Sequence, residues 1–274
     1  FGLSEADTPA QPDEVTGAVV CRDLQSATTV TIPQAGIYQI DAYSTARDPQ
    51  PVAADGTRLQ EGMIGIWPLD GDSAAANGQR ELDGKLTGDA KFVNSPFGKA
   101  VSLDGNGDAV VVPHQESMHV GTGDFTVAAW IHPRQLRQGG IVCLGKYSWT
   151  HGWYLDMPNN QGVLRIETAG PNNQPNGTVQ SPPGMIRNNT WQHVAAVVRR
   201  GDQQTVLFIN GYPVARGTIG PENLDNPQVD LHLGRIQDAQ QFRGELDEVR
   251  LYRRALSEAE IQAYVNSGEA DDKA

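Results

Sequence analysis

Between residues 63 and 251, apolar and polar positions alternate in short runs, and Gly, Pro, Asn or Asp punctuates the chain about every dozen residues. Such a pattern predicts strands at 63–69, 100–103, 109–112, 125–131, 140–144, 153–157, 163–167, 191–198, 205–209, 212–216, 229–233 and 246–251. Side chains along a strand point alternately to its two faces. The run from Phe125 therefore sends Phe125, Val127 and Ala129 one way and Thr126, Ala128 and Trp130 the other. Trp130 and Trp191 are expected as core aromatics. Helical spacing occurs once, where Ser257 and Glu260 form a capping box ahead of Ile261, Tyr264 and Val265, so a helix of about two to three turns should close the domain.

The first sixty residues read differently. Residues 1–16 are polar and lack any period that would bury a face, strand-like runs follow at 18–21, 28–32 and 36–43, and a Pro/Asp-rich segment reaches residue 60. The expected organisation is a small β extension with linker over 1–60, one antiparallel two-sheet sandwich over 61–268 and a disordered tail over 269–274. Thirty glycines and 17 prolines in 274 residues suit this all-β class.

Charge narrows the partners. Thirty-three acidic residues against 21 basic give −12, and no Lys/Arg stripe is present to follow a phosphate backbone, so nucleic acid is not an expected partner. No apolar run approaches the roughly 18 residues of a membrane-spanning helix. Cys21 and Cys143 are too far apart in sequence for a paired-thiol metal motif; a buried thiol at Cys143 and a Cys21–Cys143 disulfide both remain open. The chain opens at Phe1, as a processed protein or an excerpt of a longer, multidomain one would.

Asp104, Asn106 and Asp108 place three oxygen donors at alternate positions, with glycines between them that let the backbone turn sharply. A hard cation could be wrapped by such a loop, although an Asx turn has the same composition. The stretch Lys146–Tyr154 crowds five ring side chains between two strands, and Tyr147, Trp149 and His151 are the candidate ligand contacts, with Trp149 as a sandwich-edge cover the alternative. The six histidines lack metal-ligand spacing, and His193 and His232 are expected to be structural residues with satisfied ring nitrogens. Sequons occur at Asn176-Gly177-Thr178 and Asn188-Asn189-Thr190.

An ordered set of segments carries a family resemblance: Asp104-Gly105-Asn106-Gly107-Asp108, Phe125-Thr126-Val127-Ala128-Ala129-Trp130-Ile131, Trp191-Gln192-His193-Val194, Phe208-Ile209-Asn210-Gly211, Leu231-His232-Leu233-Gly234 and Gly244-Glu245-Leu246-Asp247-Glu248-Val249. Together they resemble the laminin-G-like, or concanavalin A-like lectin/glucanase, superfamily over roughly residues 62 to 268. That resemblance implies an antiparallel jelly roll and a structural calcium site, with Asp247 beside the Asp104 loop; the expected ligands are Asp104, Asn106, Asp108 and Asp247. Glucanases of this fold carry an E-x-D-x-x-E strand, and here Arg250 replaces the last glutamate. Strict alternation would also turn Glu248 away from Glu245 and Asp247. Retaining hydrolysis needs two carboxyls about 5 Å apart, so the expectation is a secreted or cell-surface, calcium-assisted binding module for carbohydrate or an extracellular protein. A spacer domain is the first alternative and a glycoside hydrolase the second.

Overall fold

The structure, a computed structural model, describes residues 59–76, 78–145, 151–171, 174–237 and 239–267. The expected elements before residue 59, together with Cys21, Tyr147, Trp149 and the 269–274 tail, lie outside these. The described residues build two antiparallel sheets. One runs in the order β13 (Tyr212–Gly217), β12 (Gln204–Ile209), β11 (Gln192–Arg199), β6 (Phe125–Pro133), β17 (Gly244–Tyr252), β4 (Gly98–Leu103) and β3 (Lys91–Ser95), with β1 (Met63–Trp67) also paired to β17. The second runs β10 (Pro175–Gln180), β9 (Arg165–Ala169), β8 (Gly152–Met157), β7 (Gly139–Leu144), β14 (Leu231–Leu233), β5 (Ala109–Val112) and β2 (Lys85–Thr87), and a small hairpin of β15 (Arg235–Ile236) and β16 (Ala239–Gln241) attaches at β7. This is the expected jelly-roll sandwich.

Alternation decides what fills it. Phe125, Val127, Ala129 and Ile131 of β6, Val194, Ala196 and Val198 of β11, and Val101 and Leu103 of β4 face the second sheet. There they meet Val110, Val142, Leu144, Trp153, Leu155, Ile166 and Leu231, all fully buried. The opposite face of the first sheet is covered at one end by the helix α1 (Glu258–Ser267), whose Ile261 and Tyr264 close over Ala128, Ala195, Val197, Val206, Phe208 and Tyr252. The expected capping box is formed: Ser257 Oγ accepts the Glu260 amide at 3.2 Å, and the Glu260 carboxylate accepts the Ser257 amide at 2.8 Å.

Two expectations need correction. Trp130 is buried, but on the outer face of the first sheet rather than between the sheets, against Phe97 at a ring separation of 4.4 Å and His193 at 5.6 Å. His193 is fully buried, yet neither ring nitrogen has a hydrogen-bond partner, and burial lowers its pKa to about 3, so it sits neutral between Trp130 and Tyr264.

Five strands have no counterpart in the sequence pattern: β2, β3, β10, β15 and β16. Three of them, β2, β3 and β10, are edges of the sheets. An edge strand with one exposed flank tolerates Lys, Asn and Gln, as in Lys91-Phe92-Val93-Asn94-Ser95, so its apolar period fades.

Candidate functional site

The Asp104 loop joins β4 to β5 and folds as a set of carboxylate-capped turns. Asp104 Oδ1 accepts the Asn106 amide at 2.6 Å, and Asp108 Oδ2 accepts the Asp104 amide at 2.9 Å. Asp108 Oδ1 reaches across to the Asp89 amide at 2.9 Å, in the turn between β2 and β3. Gly88 in that turn has φ +70°, and a Cβ there would stand 2.2 Å from Asp108 Oδ1, so only glycine lets the two turns close on each other. One carboxylate oxygen from each of Asp89, Asp104 and Asp108 consequently lies within 4.8 Å of the others. Burial raises the pKa of Asp108 against the two amides that favour its charge, and the neighbouring Asp104 and Asp89 charges raise it further.

Asp247 is not part of this group. Gly244 of β17 pairs with Leu103 and Leu246 with Val101, which sets Asp247 four positions from the level of Asp104, about 13 Å along the strand. Its Oδ2 accepts the Ser95 hydroxyl at 2.9 Å and its Oδ1 the Glu248 amide at 2.9 Å. The implied pairing of Asp247 with the Asp104 loop therefore fails, and Asp89, which lies in a short polar turn with no distinguishing sequence pattern, stands in its place. The exposed Asn106 contributes its backbone amide to the turn.

The Glu245–Arg250 stretch also departs from strict alternation. A bulge between Asp247 and Arg250 places Glu248 at φ +47°, after which Val249 and Leu251 face the core. Glu248 is not turned inward; its carboxylate pairs with Arg250 at 2.9 Å, and the Arg250 guanidinium lies 3.9 Å from the Tyr264 ring centre. Glu245 is buried and held from two sides, by His132 Nδ1 at 2.6 Å and Arg134 Nε at 2.7 Å. Close pairing of β17 on β6 makes this possible: Gly244 has φ +151°, and a Cβ there would stand 2.3 Å from the His132 carbonyl.

Beside Glu245 opens a cleft of about 430 Å³ lined by Ser102, Leu103, Asp104, Arg134, Gln135, Arg243 and Glu245. It runs from the His132–Glu245 contact to the acidic loop. Trp191 stacks on His132 at 5.3 Å and meets Phe97 edge-on at 5.7 Å, and both Trp191 and Phe97 are half-buried. No spacing in sequence signals this cleft, because its walls come from β4, β17 and the segment after β6.

Of the expected aromatic loop, His151 is described. Its Nε2 contacts the Asn223 carbonyl at 2.7 Å and its own carbonyl accepts Asn226 Nδ2 at 2.8 Å, which ties two loops together. The sequons also separate: Asn176 is buried, with Nδ2 donating to Thr168 Oγ1 and the Gly220 carbonyl, whereas Asn188, Asn189 and Thr190 are all exposed. Cys143 is a free, fully buried thiol.

Comparison with known proteins agrees with the fold. Paraclostridial mosquitocidal protein 1 from Paraclostridium bifermentans is 22% identical over 230 residues, 77% of this chain and 18% of that protein. The crystal structure of its binding domain is 20% identical, with a TM-score of 0.64, over 76% of this chain and 53% of that domain. Domain 4 of AbnA, an extracellular GH43 arabinanase from Geobacillus stearothermophilus solved in complex with arabinotriose, is 18% identical, with a TM-score of 0.57, over 73% of this chain and 96% of that domain. The chain thus spans under a fifth of the curated relative and about half of its solved binding domain. The model of the concanavalin A-like lectin/glucanases superfamily matches residues 104–262. More than half of the sequence and the whole two-sheet architecture place this chain in the concanavalin A-like lectin/glucanases superfamily.

Proposed function

We propose that residues 61–268 form a non-catalytic module that binds carbohydrate in the cleft beside Glu245, within a secreted or cell-surface protein. The observation that carries this reading is the cleft itself, where exposed Arg134, Gln135 and Arg243 offer hydrogen-bond donors and acceptors around the buried Glu245. Convergent polar groups that fix orientation are what a sugar requires. Domain 4 of AbnA, with the same fold, was solved with a bound arabinotriose. Among the described residues only Leu86 and Tyr212 are large apolar side chains counted as exposed, so no apolar patch favours a protein partner instead.

Glu245 supports binding over hydrolysis. Its carboxylate is committed to His132 and Arg134, the nearby Asp247 is bonded to Ser95, and Glu248 is paired with Arg250, so each acidic group of the stretch already has an assigned partner. A pair of free carboxyls flanking a sugar is not what this arrangement supplies.

Calcium belongs to the same proposal. Asp89, Asp104 and Asp108 form an oxygen-only set suited to a hard cation, and each carboxylate oxygen engaged by an amide keeps a further lone pair. These three residues would hold the ion, which would neutralise their mutual repulsion and stiffen the wall of the cleft to which Asp104 belongs. Arg137 and Arg235 favour a second reading, in which the loop is neutralised from within: Arg235 donates to the Gly107 carbonyl at 3.4 Å, and the Arg137 guanidinium lies 3.0 Å from where a Cβ on Gly105 would sit.

Isothermal titration with neutral and acidic oligosaccharides tests the module. Binding that is weakened in Gln135→Ala, with the melting temperature kept, supports it; binding insensitive to Gln135 and Arg134 removes the cleft from the proposal. Titration of chelator-treated protein with calcium decides between the two readings of the acidic loop, because a bound cation must raise the melting temperature.

A further inference from the structure

Two carboxylates, Asp104 and Glu245, and two guanidiniums, Arg134 and Arg243, line the cleft, and they are unequally engaged. Glu245 is the deepest charge, its side chain 4% exposed and already met by two donors, while Arg134, which supplies one of them, is 57% exposed. Arg134 gives only its Nε to Glu245; its two terminal nitrogens have no protein acceptor among the described residues. Arg243, also exposed, makes a single 3.3 Å contact to Gln135 and has no carboxylate at ion-pair distance. Arg137, behind the same loop, likewise has no carboxylate partner among the described residues. Arg243 and the terminal nitrogens of Arg134 thus reach the opening without a carboxylate partner among the described residues.

Those donor edges are solvent-exposed and open to a ligand. An exposed guanidinium presents donors in a planar fork that matches a carboxylate, and it offers no acceptor at all. A neutral sugar would satisfy such a wall only with hydroxyls that water already replaces well. Across the cleft the acceptor Glu245 is capped, and Asp104 uses Oδ1 for the Asn106 amide. Asp104 keeps Oδ2, but around the engaged Glu245 the groups open to a ligand are the donors of Arg134 and Arg243.

We propose that the cleft selects an acidic oligosaccharide and that Arg243, with the free edge of Arg134, holds its carboxylate. This rests on the carbohydrate reading above and narrows it to sugars bearing a carboxyl group. Arg134 plays two parts, orienting Glu245 through Nε and meeting the ligand through its terminal nitrogens, whereas Arg243 has no structural task that its loss would disturb.

Titration calorimetry of the full chain with galacturonate, glucuronate and N-acetylneuraminate oligosaccharides, each beside its carboxyl-reduced form, tests the inference. The expected result is at least one acid form that binds about tenfold or more tightly than its reduced partner, with the advantage lost in Arg243→Gln while the melting temperature stays at the native value. Arg134→Lys should weaken the same ligand, since a point charge replaces the fork. Equal binding of acid and reduced forms overturns the acidic selectivity and leaves the carbohydrate reading standing. An acid preference that survives both substitutions overturns the assignment to these arginines. Absence of binding by every form removes the carbohydrate reading and this inference together.

Discussion

Replacing Asp247 by Asn should flatten a pH dependence that the native protein carries. Asp247 is 1% exposed, and burial pushes its pKa up to about 8 from an ordinary 3.8, against the Ser95 hydroxyl and the Glu248 amide that favour the ionised form. Between those two pKa values the native state holds a proton that the unfolded chain has released. Stability from this group is therefore fully present below the unfolded pKa and is lost as pH rises through the folded one, at about 1.4 kcal/mol per pH unit. Two other buried groups titrate lower. Burial raises Asp156 to about 6 despite its bond to Arg165, and His193 is lowered to about 3 from 6.5. Asp156 also loses stability as pH rises, but its contribution is exhausted near its folded pKa, and His193 acts in the opposite sense only below its unfolded pKa. A window from about pH 6.5 to 8 thus isolates Asp247, and over those 1.5 units the wild type should lose about 2 kcal/mol more than Asp247→Asn. Asparagine keeps the geometry, since its carbonyl can accept the Glu248 amide while its amide donates to Ser95 Oγ. Urea unfolding followed by tryptophan fluorescence, at three pH values across the window, measures the difference. Parallel pH profiles for the two proteins would refute the assignment of a proton to this carboxyl.

Other residues make sharper local tests. Asp108→Ala removes the acceptor for two backbone amides and should cost about 2–4 kcal/mol in chemical denaturation, and a loss below about 1 kcal/mol would show that the two turns hold without it. Ser257→Ala breaks the capping box and should lower stability by about 1 kcal/mol, whereas Ile261→Ala, beneath the helix, should cost about 2–5 kcal/mol; reversal of that order would mean that the helix is held by its cap rather than by its buried face. Glu245→Gln should leave sugar release from a broad polysaccharide panel at background, as in the wild type; release that the substitution abolishes would establish the hydrolase instead. Gly244→Ala should destabilise by several kcal/mol, because its Cβ would strike the His132 carbonyl, and a near-native melting curve would contradict the close pairing of β17 on β6.

Period-2 patterning made the long central strands legible, since burying one face of β6 or β11 between two sheets forces apolar residues to alternate positions. Three of the edge strands, β2, β3 and β10, were not, because each has a free flank and so carries a weaker constraint. The helix was visible through Ser257 and Glu260, whose local hydrogen bonds need no tertiary partner. The candidate site was visible only in pieces. Asp104 and Asp108 could be paired because only three residues separate them, and their bonds are local. Asp89 could not, since only the pairing of β2 with β5 brings its turn to Asp108.

The misassignment of Asp247 has the same origin in reverse. Its neighbourhood is set by the register of β17 on β4, which a sequence does not display and which a shift of four residues changes by about 13 Å. The bulge after Asp247 likewise depends on pairing with β6 and on Glu248 adopting φ +47°, so alternation failed where the backbone stopped being regular. What the amino-acid order determined alone were the features whose energy is local or periodic: strand faces, turns, the capped helix, the acidic loop. Which carboxylates share a site, which arginines are left without a counter-charge, and where a cleft opens were decided by strand register, because those contacts join segments separated by 19 positions for Asp89 and Asp108 and by 113 for His132 and Glu245, and exist only once the strands have paired.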